Sequence, residues 1–381
     1  MKSKENLNEG LGPRIFGLDV LRSIAILTVV MAHGHRFLVK AFDLKYYGML
    51  VFDGVTFFFV LSGFLIGGIF LRIMDRPTFQ FKDIFSFWIR RWFRTLPNYY
   101  MVMVLLIITW HYAGLGLPST LYKYFLFLQN FHDRHPNFFG EAWSLSIEEW
   151  FYLLVPFAIT ITYVTTRLNK RHIVLFWISF IVVVCTATRV IRFWKYHYSG
   201  PDYDLYITKQ VVTRLDSLVY GVLGAFLTYY KVKLWDDKRN LFFILGIALL
   251  IFPKINNSFI HSGFFDGYLV ITTNSIGTML LLPKLITFKK AKGVPQRFFT
   301  LISKISYSMY LIHASFLIVI VFPFVEKWLH SVINNERVAS LATYSVFWAC
   351  TIAISYLMYT YFEHPITGLR EKFTSVEPHK S

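Results

Sequence analysis

Apolar stretches long enough to cross a lipid bilayer recur along the whole of this chain, and nothing constrains its fold more. The hydrocarbon interior of a membrane is about 30 Å thick and takes roughly 17 to 25 helical residues to cross. Ten spans are predicted: Ile15–Gly34, Leu50–Leu71, Pro97–Tyr112, Trp143–Val164, Ile173–Ile191, Ile207–Tyr229, Leu241–Phe252, Gly263–Leu282, Ile305–Phe324 and Leu341–Phe362. The segment Leu121–Phe131 is apolar but too short to span, and reads as an interfacial or re-entrant helix. The expected fold class is an all-α polytopic membrane protein, with one transmembrane domain over residues 1–381.

Composition agrees. Charged residues make up 16% of the chain and hydrophobic ones 55%, with a mean hydropathy of +0.48. A soluble protein carries about 25% charged residues, so this chain lacks the polar surface to meet water on all sides. The net charge of +17 would point to nucleic acid in a soluble protein. Here the basic residues lie in short loops between apolar runs, so no nucleic-acid partner is expected. Part of the excess suits an anionic cosubstrate or lipid headgroups. Cys185 and Cys350 both sit inside apolar runs, which argues against a disulfide framework or a zinc site. His132 and His135 in an outer loop have no further ligand cluster, and no metal site is expected. The first run outlasts a signal-peptide core and carries Asp19 and Arg22, so it is not read as a cleavable leader.

Orientation follows from the basic residues. With both termini cytoplasmic, the inner segments hold 25 Lys and Arg and the outer loops hold 10, as the positive-inside rule requires. No internal repeat, low-complexity stretch or appended soluble domain is visible. The absence of an inverted repeat weighs against a secondary transporter.

Charged groups within a membrane are costly and are functional candidates by default. Arg22 and His33 are eleven residues apart on the first span, three turns plus roughly 20°, so they share one helix face about 16 Å apart along the axis. Asp19, three residues before Arg22, is placed to pair with it. The fourth span opens with Trp143-Ser144-Leu145-Ser146-Ile147-Glu148-Glu149, putting both glutamates in its outer half with His33. A histidine beside a carboxylate is a general-base arrangement; it is equally a polar contact that locks two helices together. Arg90, Arg91 and Arg94, in the loop before Pro97, read either as a positive-inside anchor or as a bidentate phosphate clamp. Arg214 and Asp216 are two residues apart and cannot face each other on one helix, so each is expected to bond a neighbouring helix. Tyr307, Tyr310 and His313 open the ninth span among small hydroxyls suited to helix packing. Ser62-Gly63 permits close helix approach, and Glu363-His364-Pro365 marks the inner end of the last span, where Pro365 helps to stop the helix.

These segments together resemble acyltransferase family 3, the membrane O-acyltransferases of bacterial glycans. Gly17-Leu18-Asp19-Val20-Leu21-Arg22…His33 is similar to the family's opening signature, a basic residue and a histidine with ten residues between. Phe57-Phe58-Phe59-Val60-Leu61-Ser62-Gly63-Phe64, Arg90-Arg91…Arg94…Pro97 and Trp143-Ser144-Leu145-Ser146-Ile147-Glu148-Glu149 resemble the next three motifs. Arg214-Leu215-Asp216, Ser306-Tyr307-Ser308-Met309-Tyr310-Leu311-Ile312-His313 and Glu363-His364-Pro365 resemble later blocks. Seven blocks in order cover almost the whole chain. Where the second motif often carries an acidic residue, this chain has Thr56. No SGNH hydrolase-like domain of the kind longer members carry is expected, so the resemblance is to the stand-alone members, which either need no partner protein for acceptor transfer or borrow one.

The resemblance implies a bacterial cytoplasmic-membrane enzyme. Its donor is acyl-CoA, usually acetyl-CoA, acting as a cosubstrate with no tightly bound cofactor. The acceptor is a hydroxyl of a cell-surface glycan such as lipopolysaccharide or another polysaccharide, or of a lipid-linked sugar. In this reading Arg90, Arg91 and Arg94 hold phosphates, Arg22 lines a channel, and His33 acts at its outer end with Glu148 or Glu149. Two other classes compete: a proton-coupled transporter using the same buried groups, and an inactive partner or sensor of the same fold.

Overall fold

The computed structural model describes residues 14–39, 41–42, 47, 51–196, 198, 200–255 and 269–370. Both chain ends and the start of the eighth predicted span at Gly263 lie outside these residues. Among the described residues there is no strand. Long helices follow one another as α1 (Phe16–Gly34), α2 (Gly54–Met74), α3 (Lys82–Tyr112), α4 (Ala142–Thr166) and α5 (Lys170–Tyr196), then α6 (Val211–Tyr229), α7 (Arg239–Ile255), α8 (Val270–Leu285), α9 (Gly293–Ile312) and α10 (Glu336–Met358). A π-helical segment, His313–Val321, carries α9 onward into Phe322–Val332.

Seven of these helices are long and apolar enough to cross a membrane: α1, α2, α4, α5, α6 and the extended forms of α9 and α10. The other three are not. α7 and α8 have only 17 and 16 residues, and α3 carries polar residues such as Asn98 and His111 along its 31 residues. All-helical architecture suits this setting, because a helix satisfies its own backbone groups where water is absent.

Two apolar clusters hold the bundle together. One is built from α2, α4, α5, α6 and α8, with Leu61, Phe151, Val219 and Leu282 at its centre. The other joins α1, α3, α9 and α10 through Ile26, Met103, Met309 and Phe347. Val55, Phe58 and Trp150 pack against both clusters, so the two halves meet along one seam.

Three local expectations are revised. Arg90, Arg91 and Arg94 lie not in a loop but on α3, which starts fifteen residues before Pro97 at Lys82. Ile84, Phe87, Trp88 and Thr95 are buried at helical spacing, and that amphipathic stripe outweighs the proline. Leu121–Phe131 forms only one helical turn, Tyr122–Phe125; Phe127 then takes a left-handed conformation at φ 56° that no helix continues through. At the last helix Pro365 does not stop the chain. The helix passes through a π segment, Tyr359–Glu363, into His364–Leu369, and Pro365 stands in the first turn of that piece, where a missing N–H costs little.

The most extensive helix pair is α2 against α6, and two glycines set its spacing. A Cβ on Gly63 would lie 1.8 Å from the Leu218 carbonyl oxygen, and one on Gly221 would lie 2.0 Å from that of Val60. Gly68, on the same helix as Gly63, has open space around it. Gly63→Ala or Gly221→Ala is expected to lower stability by about 1–3 kcal/mol through forced separation of the helices. Gly68→Ala should be neutral or stabilising by up to about 1 kcal/mol. Thermal unfolding of the three variants in one detergent checks the contrast.

Candidate active site

Polar side chains from α1, α3, α4, α9 and the last helix meet along the seam. At one end the Asp19 carboxylate accepts from Arg14 Nε at 2.5 Å and from Ser303 Oγ at 2.8 Å. Asp19 therefore bonds Arg14 rather than the expected Arg22. Arg22 instead turns into the seam, within Coulombic reach of Arg94 and Arg91 as well as Arg14 and Asp19. Glu363, from the π segment of the last helix, accepts from Asn98 Nδ2 at 2.9 Å and Ser308 Oγ at 2.6 Å. It is also within Coulombic reach of Arg94 and Arg22.

The middle of the seam holds a second cluster. Glu148 accepts from Arg91 Nη2 and from the Tyr152 hydroxyl, each at 2.9 Å, and from Ser62 Oγ at 3.2 Å. Arg91 also donates to the Tyr152 hydroxyl at 2.8 Å and lies 4.2 Å from the centre of that ring. Glu149 accepts from Thr95 Oγ1 at 2.9 Å, and Tyr307 donates to the Thr95 carbonyl at 2.8 Å.

The far end carries two histidines. His33 Nδ1 lies 2.9 Å from His313 Nε2 and 3.1 Å from the Val29 carbonyl. His313 is fully buried and its Nδ1 lies 2.8 Å and 3.1 Å from the carbonyls of Tyr310 and Met309. His33 is exposed. It lines a cavity of about 370 Å³ together with Arg36, Asn137, Phe138, Gly140 and Ser315. His135 in the adjoining loop is not an equivalent: it is buried, and burial pushes it down to about 3, so it stays neutral.

The carboxylate at this depth is Glu141, which the sequence reading did not single out. It stands immediately before α4, whereas Glu148 lies roughly 10 Å further along that helix. Glu141 accepts from the backbone N–H of Ala314 at 2.9 Å and of Ser315 at 2.7 Å, and from the Ser315 hydroxyl. Those amides belong to the first turn of the π segment that His313 opens. The shift from α to π bonding alters which carbonyls the amides can reach, and the carboxylate takes two of them. Tyr310 and Ser144 join their hydroxyls at 2.6 Å just beneath.

The remaining predicted residues lie apart. Arg214 donates to Asp53 at 3.0 Å and Thr56 at 2.8 Å, at the start of α2. A carboxylate is thus present beside Thr56 after all, contributed by Asp53. Asp216 forms a fully buried bidentate pair with Arg189 on α5, at 2.9 and 2.6 Å. Arg90 is half-buried on α3. Tyr198 stacks between Tyr196 and Tyr206, with ring centres 5.2 and 4.8 Å apart.

Chemically, the seam presents cations at its Arg22 and Arg94 end and an imidazole open to a cavity at the other. Breaking the central pair should be costly. Glu148→Ala leaves the Arg91 guanidinium uncompensated and is expected to destabilise by about 3–5 kcal/mol, while Arg91→Met combined with Glu148→Leu recovers most of that loss. Thermal unfolding of both single variants and the double variant measures the coupling.

The family profile described as an acyltransferase domain matches residues 15–360. A Staphylococcus aureus (strain COL) protein provisionally named an O-acetyltransferase is 27% identical, over 92% of this chain and 56% of its own length. O-acetyltransferase OatA of Staphylococcus aureus (strain NCTC 8325 / PS 47) is 26% identical, over 82% of this chain and 52% of its own length. The chain spans about half the length of the curated relatives it matches. No solved structure matches it.

Proposed function

This chain belongs to acyltransferase family 3, and on that premise we propose that it moves an acetyl group from cytoplasmic acetyl-CoA to a hydroxyl of a cell-surface or lipid-linked glycan. The family and the names of its relatives support an acyltransferase of the multi-pass membrane type; donor, acceptor and topology are our reading. We place it in the bacterial cytoplasmic membrane with ten crossings, α3, α7 and α8 completing the seven clear ones, and with both termini inside. The excess of Lys and Arg in the segments this puts inside supports that orientation.

The observation that carries the proposal is the exposed His33 imidazole, lining a cavity at one end of a polar seam whose other end is rich in arginine. Coenzyme A carries several phosphate charges. Arg22, Arg90 and Arg94 meet them, and Arg91, held by Glu148, borders the path of the pantetheine arm. His33 takes the proton from the acceptor hydroxyl as its oxygen attacks the thioester carbonyl. The carbon–sulfur bond breaks, and the imidazolium returns that proton to the leaving thiolate. Glu148 and Glu149 act from deeper in the seam, keeping the arginines in place.

The test is transfer from radiolabelled acetyl-CoA in proteoliposomes supplied with the cell's glycan fraction. Label should enter glycan with the wild type and fall roughly 10²–10⁴-fold in His33→Ala, the range for loss of a general base. Equal labelling by the variant would refute the role of His33. Uptake of a solute without acetyl-CoA consumption would establish a transporter instead. An acetyl group trapped on His33 when acceptor is withheld would replace direct transfer by a two-step route.

A further inference from the structure

We propose that His313 is a positioning residue that fixes His33 as the Nδ1–H tautomer, so that the basic lone pair of His33 is on Nε2 and faces the cavity. The inference deepens the acyl-transfer reading and rests on it only for its kinetic arm. Two independent sets of acceptors lead to the same assignment. A backbone carbonyl accepts hydrogen bonds and never donates them. His313 Nδ1 lies 2.8 and 3.1 Å from two such oxygens, those of Tyr310 and Met309, so it must carry hydrogen. A neutral His313 therefore has its lone pair on Nε2, the atom 2.9 Å from His33 Nδ1, and the hydrogen in that contact belongs to His33. Separately, His33 Nδ1 lies 3.1 Å from the Val29 carbonyl, which again calls for hydrogen on that nitrogen. With Nδ1 protonated, the neutral ring has only Nε2 left to accept a proton.

The His313 ring is held rigidly enough for this. It is fully buried, and it opens the π segment His313–Val321, whose next two amides are bound by the Glu141 carboxylate. π-helical segments within α-helices are frequent at functional sites. Here His313 is the first residue of the segment, and its Nε2 meets a helix 280 residues away in sequence. The Nδ1–H of His33 stays donated to His313 through the reaction. The hydroxyl proton goes to Nε2, giving an imidazolium with hydrogen on both nitrogens, and the same Nε2 proton leaves with the thiolate sulfur. No carboxylate has to touch His33 for this cycle.

The experiment uses full-length protein with selectively ¹⁵N-labelled histidine in nanodiscs, plus the acetyl-transfer assay. His33 is identified among the 12 histidines as the resonance pair missing from His33→Gln. In the wild type at neutral pH, His33 Nδ1 should show the shift of a protonated nitrogen and Nε2 that of an unprotonated one. His313→Phe, which removes the acceptor, should bring the Nε2–H tautomer into the His33 spectrum. It should also lower kcat by roughly 10–100-fold, the scale for losing a partner that orients a functional histidine, with KM for acetyl-CoA unchanged. His313→Gln, whose amide oxygen accepts in place of Nε2, should restore most of both. A wild-type spectrum with hydrogen on His33 Nε2 overturns the proposal, as does a His33 spectrum identical in wild type and His313→Phe. The expected tautomer in a protein that transfers no acetyl group would leave this assignment standing and remove the acyl-transfer reading.

Discussion

A charge can stay within the hydrocarbon depth of a membrane only when another group of the protein takes the place of water around it. The carboxylates of the seam between the two apolar clusters answer to that condition. Glu148 is surrounded by Arg91, Tyr152 and Ser62; Glu363 by Asn98 and Ser308; Asp19 by Arg14 and Ser303. Most of these contacts join helices far apart in sequence, so the polar groups that would otherwise make the bundle costly also fix which helices adjoin. The apolar clusters supply cohesion on either side, while the seam sets register.

Much of this was legible in the residues. Arg22 and His33 do both belong to the polar seam, as their spacing on one helix implies, and the buried blocks at Arg91, Glu148, Tyr307, His313 and Glu363 all contribute to it. Long apolar runs located the helices well because their signal is local and cumulative. What sequence did not carry was pairing between helices. Asp19 looked matched to Arg22 by spacing, yet Arg14 reaches it from outside the helix. Glu148 and Glu149 looked like partners for His33 because they begin a helix of opposite direction at the outer surface. Seven residues of rise separate that surface from Glu148, and that distance puts it with Arg91 instead.

Glu141 escaped notice for a different reason. It follows Phe138, Phe139 and Gly140 in a loop, and no nearby residue hints at a partner. Its ligands are amides about 170 residues away, released by a change from α to π bonding. Sequence periodicity has no means of announcing a widened helical segment, so neither the segment nor the carboxylate that answers it was visible. The stretch before Pro97 failed in the opposite sense. A familiar helix breaker overshadowed a clear amphipathic stripe.

The fixed position of Arg91 bears on how such a membrane protein can be polar inside without becoming a leak. Each elementary charge that crosses a membrane potential releases about 2.3 kcal/mol per 100 mV. A file of hydroxyls, carboxylates and imidazoles would offer hydronium an easy route. Arg91 cannot be neutralised at any physiological pH, and Glu148 and Tyr152, neighbours on α4, both accept from its Nη2 at mid-seam. A fixed guanidinium interrupts such a file, because it has no lone pair with which to accept a proton and pass it on. A polar seam broken by such a group is not a continuous proton wire.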